Sequence, residues 1–200
     1  MNRVAAGRIG FWSALLAFVL SNTFTAGAVV GGMLAAPWDV ILPVAPSLLL
    51  APTFAVMMVA LYHVAPEDRK VWGHVALMVA ILYAAIASIV YVTWLFVVEP
   101  HLLRGDEAAV APFLFAPGSF IQTLDGLAYF YSCLAAFFTA PLFAGRGLER
   151  WLRWVAIANG LAAVPVFLSY IYFNVLLGIW WSITIPAFTL LLALYFRRVK

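Results

Sequence analysis

What most constrains this chain is how rarely a charge interrupts it. The runs 9–38, 40–66, 71–98, 126–145 and 154–196 hold 30, 27, 28, 20 and 43 residues without Asp, Glu, Lys or Arg. A helix rises about 1.5 Å per residue and a bilayer core is about 30 Å thick, so about 20 apolar residues cross it. Each of the first four runs is long enough for one crossing. The 43-residue run holds two, folded back near Asn174 and Gly178. A further run of 17 residues, 108–124, is short and broken by Pro112, Pro117 and Gly118, and reads as an apolar outer loop over 108–120.

Composition agrees. Apolar residues make up 66% and charged residues 10% of the chain, whereas a soluble domain carries about 25% charged residues to cover its surface. An aromatic content of 16% argues against disorder, and Cys133, the single cysteine, cannot form an intrachain disulfide. The expected fold is all-α: a polytopic bundle of six transmembrane helices forming one domain over 1–200. Spans are expected near 11–33, 47–63, 75–98, 122–142, 155–173 and 178–195. Arg3 and Arg8 ahead of Ala26-Gly27-Ala28 resemble a signal peptide, but the apolar run outlasts an h-region of about 7–15 residues and reads as a span.

Lys and Arg set the orientation. Alternate turns collect Arg3 and Arg8, Arg69 and Lys70, Arg146, Arg150 and Arg153, then Arg197, Arg198 and Lys200, leaving only Arg104 opposite. Cationic turns stay on the side of synthesis, which puts both termini in the cytoplasm of a prokaryotic inner membrane. Asp39, Glu99, Asp106, Glu107 and Asp125 fall on the outer side. The basic residues therefore belong to a membrane surface, with membrane lipids as partners and no nucleic acid. Trp38, Trp72, Trp94, Trp151 and Trp154 lie near span ends, where an indole keeps its N–H among headgroups.

Helices in lipid meet through small residues that let backbones approach. Thr23, Gly27, Gly31 and Ala35 form one such stripe; Ala76, Ala80, Ala84 and Ser88 a second; Ala128, Ser132, Ala136 and Ala140 a third. Pro52, Pro165 and Pro186 release the carbonyls of Leu48, Leu161 and Ser182, either as simple kinks or as ligand groups.

One polar stripe stands out. Gln122, Asp125, Tyr129, Ser132 and Ala136 share a helix face, and a carboxylate entering hydrocarbon must find a partner, stay in water or keep its proton. Asp125 is thus the first candidate ligand-binding residue, with Gln122 and Tyr129 beside it. Read without a ligand, Asp125 is a first-turn carboxylate held by free N–H groups in the headgroup layer. Tyr91 and Glu99 from the third span and Asn22 from the first are the other candidates. Together they outline an outer pocket beneath the 108–120 loop for a cationic or amphipathic guest; interhelical hydrogen bonding accounts for the same residue types.

No cofactor or metal site is expected. His63, Glu67 and His74 would ligate zinc only if their turn folded inward, and there is no HExxH motif or cysteine pair. There is no GxSxG elbow, and neither Lys70 nor Lys200 offers a buried amine for a Schiff base. Leu148, Trp151 and Leu152 with Arg146, Arg150 and Arg153 read as an interfacial anchor.

The segments PSLLLAPTF from Pro46, HVAPEDRKVWG from His63, EPHLLRGDE from Glu99, LDGLAYF from Leu124 and LERWLRW from Leu148 resemble a family of uncharacterised six-span prokaryotic inner-membrane proteins. The resemblance covers most of the chain. It implies topology and location, and no catalytic residues, since that family has no assigned activity. The leading expectation is a protein that binds or transports a small amphipathic or lipid-like molecule. A structural or accessory subunit, with a membrane-protein partner on the small-residue stripes, is the alternative. A membrane enzyme comes third.

Overall fold

The structure, a computed structural model, describes residues 2–172 and 174–199. The expected end of the fifth span, Phe173, and the expected terminal cation, Lys200, lie outside the described residues. Those that are described form helices and turns without a strand. The helices are α1 Arg3–Gly31, α2 Trp38–Val64, α3 Lys70–Thr93, α4 Glu99–Leu103, α5 Phe120–Phe138, α6 Leu148–Tyr172 and α7 Val175–Phe196. A π-helical turn, Trp94–Val98, carries α3 into the five-residue α4. Five helical stretches are long and apolar enough to cross a membrane: α1, α2, α3 through α4, α6 and α7. This is a membrane-embedded protein. The helix that falls short is α5, whose 19 residues include Gln122, Thr123, Asp125 and Ser132.

The long helices pack as a closed ring in chain order, each against its sequence neighbours, with α7 returning to α1. The ring closes because the first turns of α1 meet the last turn of α7: an added Cβ at Gly7 would lie 3.1 Å from Val199. Trp72 at the start of α3 stacks on Phe138 at the end of α5, with centroids 6.3 Å apart. The chain ends and the basic α2–α3 and α5–α6 turns therefore share one end of the bundle, here the terminal end. Asp39, Glu99 and Gln122 mark the opposite, acidic end.

Helix α2 begins nine residues before the expected span and runs through Pro43, Pro46 and Pro52. Its first two prolines release the carbonyls of Asp39 and Leu42, four residues earlier. Helix α1 presses Gly27 and Gly31, two of its four glycines, on those same carbonyls. A Cβ at Gly27 would stand 2.6 Å from the Leu42 oxygen, and one at Gly31 2.8 Å from the Asp39 oxygen. Glycine is required here for approach, and Cα–H···O contacts of about 0.5–1 kcal/mol each help the freed carbonyls. In α5 and α6 the fit is reciprocal, Gly126 receiving Tyr170 and Gly160 receiving Phe137.

The alanine stripe on α3 follows a different line from the one its spacing predicts. The buried positions are Gly73, Ala76, Ala80, Tyr83, Ala87, Val90 and Tyr91, while Ala84 and Ser88 are half-buried. With about 3.6 residues per turn, a strict four-residue stripe turns about 40° per step and leaves the interface. The 108–120 segment lies at the acidic end. A 3-10 stretch, Glu107–Phe113, opens it; Val110 is buried, and the Phe115 ring sits 4.5 Å from that of Trp94 in the π-helical turn.

Candidate functional site

Helix α5 supplies the middle of the bundle with polar groups. Ser119 caps it, its hydroxyl accepting the Gln122 N–H at 3.2 Å, and the buried face then runs through Gln122, Asp125, Tyr129 and Ser132. Each is met by a different neighbour. The Tyr91 hydroxyl of α3 donates to the Tyr129 hydroxyl at 3.1 Å. The Gln122 amide donates to the Tyr170 carbonyl of α6 at 3.1 Å, an oxygen in the last turn that a continuing helix would have occupied. The Trp181 indole of α7 donates to Ser132 Oγ at 3.0 Å, and that hydroxyl donates to the Tyr129 carbonyl at 2.7 Å. The polar face that makes α5 a poor apolar span is thus consumed inside the ring.

Asp125 is the exception. Its side chain is 95% buried, with 5% exposure. The hydroxyls of Tyr91 and Tyr170 lie beside its carboxyl, yet among the described residues Oδ1 makes no hydrogen bond. A buried polar atom without a partner is costly, by about 1–3 kcal/mol or more for a charged group. Four aromatic rings interlock one turn further along α5, with Tyr129 at their centre. Tyr129 lies 4.8 Å from Trp181, 5.1 Å from Tyr170 and 6.0 Å from Phe24, and Phe24 lies 5.5 Å from Trp181.

A cavity of about 450 Å³ is walled by these four rings. Gln122, Ser169 and Asn174, with Thr25 and Ser182, are its polar lining residues, and Ala28, Val29 and Ile179 form its exposed rim. It opens at the seam between the acidic-end halves of α1 and α7. The anticipated opening lay under the 108–120 loop; that segment packs on the π-helical turn, α4 and α5, whereas none of its residues lines this cavity.

The expected site residues divide accordingly. Gln122 and Tyr129 line the cavity, and Asp125 and Tyr91 stand behind Tyr129. Glu99 is buried elsewhere, where the charge acting on it is Asp39 and its Oε1 has no partner among the described residues. Asn22 is exposed on the outside of α1, its amide donating to the Phe18 carbonyl at 2.7 Å. Phe24, Tyr170 and Trp181 belong to the site without having been singled out. A signal existed for Trp181: Trp180 is exposed and Trp181 follows it, so adjacent indoles on one helix point to different surroundings.

Among the described residues His63, Glu67 and His74 do not come together as a group of three ligands. His63 Nδ1 pairs with the Val59 carbonyl at 2.9 Å, and Glu67 pairs with Lys70 at 2.6 Å. The cavity is faced by aromatic rings, and the Asp125 carboxyl stands outside its lining. Comparison with protein families, with curated proteins and with solved structures finds no match to this chain.

Proposed function

We propose that this protein crosses a prokaryotic cytoplasmic membrane six times, with both termini in the cytoplasm, and binds or transports a small amphipathic cation through the chamber between α1, α5, α6 and α7. One observation carries the reading: a cavity of about 450 Å³ walled by Phe24, Tyr129, Tyr170 and Trp181, with the buried Asp125 carboxyl beside the Tyr170 hydroxyl and its Oδ1 without a partner among the described residues. Aromatic faces attract substituted ammonium groups by about 0.5–2 kcal/mol each, and most when water is excluded. A buried carboxylate supplies the countercharge. The side opening admits an apolar tail from the surrounding lipid.

The sixth crossing is α5, which turns its polar face inward and its less polar remainder outward. An even number of crossings places the basic turns together, as positive-inside retention requires. Membership in the six-span family that the sequence resembles is part of this reading. The accessory-subunit alternative draws on the small-residue stripes, of which Gly27 and Gly31 are already filled by α2 of the same chain and Ala128, Ser132, Ala136 and Ala140 are buried within the bundle.

The test is binding of octyltrimethylammonium, below its micellar range, to purified protein in phosphatidylcholine nanodiscs, measured by native mass spectrometry with octanol as the uncharged control. Saturable binding is expected. Ala28→Trp, which fills the rim, abolishes it, and Asp125→Asn weakens the cation by about tenfold, the equivalent of about 1.4 kcal/mol, with less effect on octanol. Equal, non-saturating uptake by all three proteins overturns the reading.

A further inference from the structure

Three arginines far apart in sequence meet at the terminal end of the bundle. Arg3 opens α1, Arg146 stands in the α5–α6 turn and Arg198 follows α7, and all three line one cleft of about 330 Å³ with Glu149 and Tyr195. The convergence has local causes. The α1–α7 contact at Gly7 and Val199 brings the chain ends together. Gly147, with φ of 63°, reverses the backbone between Arg146 and α6 in a conformation that side chains disfavour.

The charges in this cleft do not cancel. Glu149 is its only carboxylate among the lining residues, and its Oε2 is turned to the Gly145 N–H at 2.7 Å. Among the described residues the ion pairs are Arg69–Asp68 and Lys70–Glu67, so none of the three guanidinium groups is paired with Glu149. The first turn of α6 also borders the cleft through Leu148 and Glu149. A 25-residue helix presents free N–H groups and the positive end of its dipole there.

We propose that this cleft binds a phosphate group, a monoester or diphosphate dianion, which cross-links the two chain ends to the α5–α6 turn. Guanidinium forks match phosphate oxygens two at a time, and three of them bring more positive charge together than one carboxylate offsets. The phosphate belongs either to a membrane-lipid headgroup or to a dissolved compound. Exposed Trp151 and Trp154 on the same stretch of α6 place lipid within reach. The site lies at the opposite end from the aromatic chamber and stands independently of the function proposed for it.

The experiment compares wild type, the triple variant Arg3→Gln/Arg146→Gln/Arg198→Gln, and a control of equal charge, Arg150→Gln/Arg153→Gln/Arg197→Gln. Each is placed in nanodiscs of phosphatidylcholine with or without phosphatidic acid, and pyrophosphate is titrated in solution. Retained lipid is counted by native mass spectrometry, and circular dichroism confirms equal helix content. At about 1 kcal/mol per arginine, the triple variant loses affinity on the order of a hundredfold while the control keeps it. Selective retention of phosphatidic acid identifies a lipid source. Stabilisation of wild type by pyrophosphate alone identifies a dissolved one. Loss of binding to the same degree in the control, or no preference for either phosphate compound, overturns the proposal.

Discussion

Replacing Gly27 by alanine adds one methyl group, and the structure fixes what that methyl meets. The new Cβ would lie 2.6 Å from the Leu42 oxygen, 2.7 Å from its carbonyl carbon and 3.0 Å from the Pro43 nitrogen. All three are backbone atoms of α2, so no rotamer change relieves the contact. An ordinary carbon–oxygen contact of about 3.3–3.6 Å requires α1 and α2 to part by roughly 0.7–1 Å along the whole seam. Overpacking of this kind costs about 1–3 kcal/mol, and the gain of alanine over glycine in a helix returns about 0.5–1 kcal/mol. Gly27→Ala is therefore destabilising by about 0.5–2 kcal/mol. Gly73→Ala is the matched comparison. There the Cβ meets Tyr62 at 3.4 Å and Ala65 at 3.6 Å, which is normal packing, so only the helix gain is left and the variant is neutral or slightly more stable. Reversible unfolding in mixed micelles of rising dodecyl sulfate fraction, followed by far-ultraviolet circular dichroism, reads both. A Gly27→Ala protein as resistant as wild type, or a Gly73→Ala protein weakened to the same degree, would refute the idea that proline-freed carbonyls fix the α1–α2 approach.

The other expectations can be checked with the same preparation. The Thr184 hydroxyl donates to Asn159 Oδ1 at 2.9 Å while the Asn159 amide donates to the Thr184 carbonyl at 3.2 Å, so a double-mutant cycle of Asn159→Ala and Thr184→Val should give a coupling of roughly 0.6–1.7 kcal/mol; additive effects would remove this clamp between α6 and α7. Gln122→Leu strands the Tyr170 carbonyl and should cost about 1–3 kcal/mol in the micelle assay, whereas Asn22→Leu, on the outer surface, should be near neutral. Cys133 is fully buried and should resist maleimide until dodecyl sulfate unfolds the bundle; rapid labelling of the folded protein would show that α5 is misplaced. In a Cys133→Ala background, cysteines at Asn2 and Val199 should label only in inverted vesicles and a cysteine at Gly105 only in intact spheroplasts, and any other pattern defeats the proposed orientation.

Several parts of the site were legible because they rest on helical periodicity alone. Gln122, Asp125, Tyr129 and Ser132 recur at intervals that keep them on one face, and that face is buried. Other parts were not. Nothing local to Tyr170 distinguishes it from Tyr172, two residues along the same helix, yet Tyr170 packs on Tyr129 while Tyr172 is exposed. Asn22 and Glu99 were drawn to the site as polar residues at the right depth, but depth says nothing about azimuth around the ring. The second span was expected from residue 47, past Pro43 and Pro46; the helix instead runs from Trp38, with the glycines of α1 covering the carbonyls that those two prolines free.

The chain's own letters determined that its helices are apolar and where five of them are long enough to cross a membrane, because long charge-free runs set both length and composition. Which helix touches which, where the aromatic chamber opens, and the meeting of Arg3, Arg146 and Arg198 were decided only by tertiary packing. Those depend on how glycines and large rings interlock between helices distant in sequence. In lipid, where burial of apolar surface favours no particular neighbour, that interlocking selects the arrangement.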